Sequence, residues 1–129
     1  MVMTAALCLS LTIYYEARGE NIFGQLAVAQ VVMNRVESSK YPNDTCKVVT
    51  QHKQFSYLNG TKVEHLVQDV SEYQAWRVAQ SVANSFIQGH RISLDATHYH
   101  TVQIDPAWAK HPSMKYLKTI GNHRFYKEQ

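Results

Sequence analysis

Residues 13–36 read IYYEARGENIFGQLAVAQVVMNRV, and this stretch constrains the fold more than any other part of the chain. One apolar segment ends on a carboxylate, Glu16. A glycine-containing turn follows, and then a second apolar segment long enough to run through a small core. A chain built this way presents one acid in a cleft: the first helix stops there, the second supports it, and apolar neighbours limit its solvation. Tyr14, Tyr15 and Phe23 are the expected shields, and desolvation raises a carboxyl pKa toward the range where it can donate a proton. Glu16 is therefore the candidate catalytic acid, against the alternative of a solvated carboxylate near a helix end.

The flanking elements follow from periodicity. Residues 4–16 have helical length, with Ala5, Ala6, Leu9, Ile13 and Glu16 on one face and Gly19 at the C-cap position. Glu20 and Asn21 open the next helix, where Glu20 complements the helix dipole or pairs with Arg18. From Ile22 to Val36 the helix is apolar almost all round and should be buried on most sides. Its polar exceptions, Gln25, Gln30 and Asn34, must then find hydrogen-bond partners. SSKYPND is a loop, after which Asp44 or Thr45 caps a short helix through Val49. QHKQFSYLNGTKVE has no sustained period, and Asn59-Gly60 marks a turn within it. A third long helix covers about 71–88, with Ala75, Trp76, Ala79, Val82, Ala83, Phe86 and Ile87 as its stripe and Gly89 as its stop. ATHYHT and HRFYKE alternate as two short antiparallel strands, and Asp105-Pro106 starts a helical turn carrying Trp108 between them. The expectation is one domain over 1–129, mainly α (α+β), with a small antiparallel β element.

The totals narrow the partners. At 129 residues the chain suffices for one core. A net charge of +3 suits an anionic polymer better than a neutral sugar. The basic residues are scattered rather than gathered on one face, which disfavours nucleic acid. Cys8 and Cys46 are too few for a zinc site or a disulfide framework and read as small buried apolar residues. The apolar start, MVMTAALCLSLTIYY, lacks a basic first region and is too short to span a bilayer. It reads as the first helix, with no membrane insertion and no export or anchoring segment.

A conventional glycosidase needs two carboxyl groups. Outside the first motif the acids are Glu37, Asp44, Glu64, Asp69, Glu72, Asp95, Asp105 and Glu128, and none lies in a motif that marks it as the second. A reaction needing only one acid removes the difficulty. His98 and His100 share a face in a strand, and with His123 and Glu16 they suggest a three-ligand zinc site as an alternative. There is no G-x-S-x-G, no HExxH and no phosphate-cradling glycine loop. Phe55, Tyr57, Tyr99, Trp108 and Tyr126 are either core residues or rings that stack on sugar faces. Gln54 and Ser56 would then orient the sugar hydroxyls.

YYEARGE followed by GQLAVAQVVMNRV resembles the signature of the SleB-type cell wall hydrolases, which include spore-cortex lytic enzymes and related phage and bacterial wall enzymes. YPNDTCKVV, HKQFS, ATHYH, PAWA and IGNHRFY continue the likeness in order, from about residue 10 to 126. The resemblance implies a lysozyme-like fold that cleaves peptidoglycan glycan strands between N-acetylmuramic acid and N-acetylglucosamine as a lytic transglycosylase. It implies Glu16 as the catalytic acid and no cofactor or metal. Glu20, Gln54, Phe55, Ser56, His98, Tyr99, His100, Trp108 and His123 are the expected substrate-binding residues. Spore enzymes of the family often read Tyr-Tyr-Asn-like where this chain has His98, Tyr99, His100 and Thr101. Its form is more like that of Gram-negative bacteria and their phages. A monomeric, stand-alone endolysin is expected, made in the host cytoplasm and reaching the wall through a membrane pore. A non-catalytic glycan-binding module is the reading from a different class.

Overall fold

The computed structural model describes residues 3–51, 67 and 70–129. Helix α1 (Ala5–Ala17) is capped by Thr4, whose hydroxyl accepts from the Leu7 N–H at 3.1 Å. It is buried on more than the one expected stripe, from Cys8 through Tyr14 and at Ala17. The cause is its central place: α2 (Ile22–Val36), α3 (Thr45–Thr50) and α4 (Tyr73–Ile87) all pack against it. Buried hydroxyls on α1 bond back to the preceding turn, Ser10 Oγ to the Ala6 carbonyl and Thr12 Oγ1 to that of Cys8. The helix ends on Arg18, not Gly19, in right-handed backbone, and Gly19 has no left-handed φ.

Asn21 caps α2, its side chain accepting from Gly24 N–H at 3.1 Å. The polar residues of this helix are its link to the rest of the chain. Gln30 Nε2 donates to Asn34 Oδ1 while Gln30 Oε1 accepts from Ile92 N–H. Asn34 Nδ2 donates to the carbonyls of Leu94 and Ala96, and Arg35 Nε to that of Thr97. Four side-chain bonds thus lace residues 92–97 along one buried helix and aim the strand that follows.

Cys8 and Cys46 are disulfide-bonded, with Cα atoms 5.3 Å apart, which corrects the expectation of two free buried thiols. The packing of α3 on α1 brings together residues 38 apart in sequence. Closing a loop of that length stabilises the native chain by roughly 2–4 kcal/mol in the chain-entropy account. Urea melts with and without reductant should differ by about that much; coincident curves would contradict it.

Helix α4 buries Ala79, Val82, Ala83 and Phe86, while Ile87, expected in its stripe, is largely exposed. Its N-terminus has no side-chain cap. The buried Tyr14 hydroxyl serves instead, accepting from the N–H groups of Ser71 and Glu72 at 3.2 and 3.0 Å. Gly89, at φ +113°, terminates the helix as expected.

The β element has three strands rather than two: β1 (His98–Thr101), β2 (Met114–Ile120) and β3 (His123–Glu128), antiparallel in the order β1-β3-β2. Between β1 and β2 a 3-10 turn at Ala107–Lys110 carries Trp108. β2 was not foreseen because its pairing shifts between Tyr116 and Lys118, and its burial does not alternate. No described helix is long and apolar enough to cross a membrane.

Candidate active site

Glu16 is the penultimate residue of α1, in a helix packed by others on several sides. Phe23, expected to shield it, is 67% exposed. Burial pushes the Glu16 carboxyl up to about 7, and Oε1 has no hydrogen-bond partner among the described residues. A carboxyl desolvated to that degree still carries its proton in a substantial fraction of molecules at neutral pH.

The side chain lines a cleft of about 1080 Å³ whose walls come from distant parts of the chain. Along one side runs β1, an edge strand, contributing all four of its residues. Arg35, Tyr41 and Glu128 line it as well, and none of these was foreseen. Arg35 is 1% exposed, lies over the Tyr41 ring at 4.9 Å, and burial holds its guanidinium below the usual range. Tyr41 Oη in turn donates to Glu128 Oε1 at 3.4 Å. A smaller polar cavity shares Lys40, Tyr41 and Glu128 with the cleft. Its charged pairs, Arg91–Glu37 and Lys127–Asp95, are already matched.

Of the expected aromatic residues, Trp108 is half-buried and packs near His98, His100 and Tyr126, with ring centroids 5.3–5.6 Å apart. Tyr126 is buried, as the alternative core reading held, and its hydroxyl lies 2.8 Å from His100 Nε2. His100 Nδ1 lies 2.7 Å from the Thr101 carbonyl, which can only accept, so Nδ1 carries the proton and Nε2 accepts from Tyr126. Tyr99 points to the other side of the strand, where its ring meets those of His123 and Phe125. Gln54, Phe55, Ser56 and Tyr57, and the Asn59-Gly60 turn, lie outside the described residues.

The three histidines do not make a zinc site. In the β1–β3 register Thr101 faces His123 and Tyr99 faces Phe125. Alternation therefore places His123 on the opposite face from His98 and His100. Among the described residues no three His, Cys, Asp or Glu side chains converge on a possible metal position.

Glu20 does not line the cleft. It does not pair with Arg18, which meets Glu72 at 3.3 Å. Its Oε1 accepts from Asn122 N–H at 2.8 Å and from His123 Nδ1 at 3.0 Å. Residues 102 and 103 positions away are not legible as partners in a sequence.

Residues 19–126 match the model of the family described as Cell Wall Hydrolase. The chain belongs to that family. The match begins just after Glu16, so the placement of this residue in the cleft is evidence separate from the family assignment. Among this chain's relatives, the spore cortex-lytic enzyme of Bacillus subtilis strain 168 is 31% identical over 120 residues. That alignment takes in 91% of this chain and 35% of the relative. A Bacillus cereus spore cortex-lytic enzyme is 43% identical over 44 residues, 34% of this chain and 17% of the relative. The chain thus spans about a third or less of these relatives' length. The catalytic domain of the germination-specific lytic transglycosylase SleB from Bacillus anthracis superposes with a TM-score of 0.77 at 25% identity. It covers 98% of this chain and 97% of that one. The catalytic domain of the Bacillus cereus SleB protein gives 0.71 at 25% identity, over 95% and 89%. The chain therefore has the lysozyme-like fold of those domains, mainly α with a small antiparallel sheet.

Proposed function

We propose that this cell wall hydrolase is a lytic transglycosylase acting on peptidoglycan glycan strands, with Glu16 as its single acid and base. The observation that carries this is a carboxyl raised to about 7, with an oxygen unpartnered among the described residues, placed in a cleft of about 1080 Å³. In the first step Glu16 gives its proton to the glycosidic oxygen as the bond to the muramic C1 breaks. In the second the Glu16 carboxylate takes the proton of the muramic C6 hydroxyl as that oxygen bonds to C1. The acid is regenerated, no water is consumed, and the product carries a 1,6-anhydro end.

A second catalytic carboxylate is not needed for this chemistry, which fits a cleft where the other acid among the described lining residues, Glu128, is engaged by Tyr41. His98, Tyr99, His100, Trp108 and His123, with Gln54, Phe55 and Ser56, are read as the sugar-contacting set. We read the protein as a monomeric endolysin of the phage and Gram-negative bacterial kind, with no nucleic-acid partner, acting on the wall after release through a membrane pore. The Cys8–Cys46 bond supports a working site outside the reducing cytoplasm.

The pH profile tests the assignment of the acid. The reacting form of Glu16 is protonated, and it predominates below its value of about 7. On digestion of purified sacculi, kcat/KM should therefore fall as pH rises through about 7, losing roughly tenfold per further pH unit. A rate flat from pH 6 to about 9 would contradict a titrating general acid of this kind.

A further inference from the structure

Glu20 sits in a cradle that two glycines make possible. A Cβ on Gly24 would come 2.9 Å from the Cβ of Glu20, and one on Gly121 would come 3.1 and 3.2 Å from its two carboxylate oxygens. Gly121 also has φ +57°, so the turn between β2 and β3 closes on the carboxylate only with glycine there. The Glu20 side chain is 10% exposed and that of His123 4%. A carboxylate accepts and does not donate, so His123 Nδ1, 3.0 Å from Oε1, must carry the proton. Burial holds the imidazole below its usual range, more than the Glu20 charge raises it, with His100 lowering it further. A neutral ring protonated on Nδ1 has a bare lone pair on Nε2. That atom is buried, has no partner among the described residues, and belongs to a residue lining the same cleft as Glu16. Glu16 Oε1 is also unpartnered, so neither orphan atom satisfies the other.

We infer that Glu20 is a positioning residue: it locks His123 in the Nδ1–H tautomer, so that Nε2 accepts a hydrogen bond from a hydroxyl or acetamido N–H of the bound sugar. The identity of that donor rests on the transglycosylase reading; the tautomer does not. Glu20 acts through His123 and touches no substrate.

Two measurements test this on the full chain. Nitrogen-15 NMR of the imidazole should show the Nδ1–H form at neutral pH, with the Nε2–H form growing in Glu20→Gln. Addition of tetra-N-acetylchitotetraose should shift the His123 Nε2 resonance in the parent. In kinetics on sacculi, His123→Asn keeps a donor for Glu20 but places nothing at Nε2, and should lower kcat/KM about tenfold, the worth of one hydrogen bond. His123→Gln puts an amide oxygen near the Nε2 position and should stay within about threefold of the parent. A role confined to pinning the turn predicts the opposite order, with Asn the better replacement. That order, or an Nε2–H ring in the parent, overturns the inference. If Glu20→Gln does not fold, the two position-123 variants carry the test with Glu20 intact. Should Glu16→Gln prove fully active while the Nδ1–H form is found, the transglycosylase reading fails and the tautomer lock stands.

Discussion

Glu16→Gln is expected to reduce release of anhydro-muropeptides from purified sacculi by roughly 10²–10⁴-fold, the usual worth of a positioned general acid. The amide has nearly the shape of the protonated carboxyl and cannot give up a proton at any working pH. Its stability makes this a clean experiment. The parent carboxyl binds its proton more tightly folded, at about 7, than its ordinary value of 4.5. The folded chain therefore gains from this group fully below about pH 4.5, and that gain is lost as pH rises through about 7. Above that pH the parent must bury a charge or reorganise around it, and the glutamine variant need not. Glu16→Gln should thus melt at the same temperature as the parent or higher at pH 8, while its activity is lost. A variant that is both inactive and strongly destabilised would point to a structural role for this side chain. Full activity would remove Glu16 from the chemistry.

Arg35→Ala is expected to be the most damaging single truncation of the fold, at about 3–5 kcal/mol. The side chain is 1% exposed, donates to the Thr97 carbonyl at 2.7 Å, and lies over the Tyr41 ring. Its loss strands the carbonyl where residues 92–97 turn into β1, and opens a cavity in the wall of the cleft. Arg35→Lys should recover less than half of the loss, since an ammonium lacks the planar fork that meets a carbonyl and a ring together. Urea unfolding with an unchanged slope and a shifted midpoint is the readout. A cost below about 1 kcal/mol would mean that the guanidinium contributes no more than a surface group.

What could be read from the sequence, and what could not, divides along the range of the interactions. The run from Ile22 to Val36 and the stripe Ala79, Val82, Ala83, Phe86 announce buried helices because neighbouring residues carry the whole signal. The alternation of ATHYHT and HRFYKE gave β1 and β3 in the same way. Glu16 stood out because a carboxylate closing an apolar helix is a local pattern, although Phe23, named as one of its shields, is exposed. β2 was lost because its pairing slips between Tyr116 and Lys118, which breaks the period of two. Arg35 was passed over because charged residues are rarely buried, and the Thr97 carbonyl and Tyr41 ring that hold this one are distant in sequence or unreadable from it. The Cys8–Cys46 bond and the Glu20–His123 contact join positions 38 and 103 residues apart, and each needs the assembled fold to exist. His98, His100 and His123 looked like a cluster until the strand register put them on two faces.

The most direct test of a one-carboxyl mechanism is the mass of what the enzyme releases. Muropeptides cut from purified sacculi by the parent chain should end in 1,6-anhydro-muramic acid, one water lighter than the hydrolysis product. In isotopically heavy water they should take up no label. Reducing ends carrying oxygen from the solvent would show that water is the nucleophile, and the role given to Glu16 as base toward the sugar's own hydroxyl would be wrong.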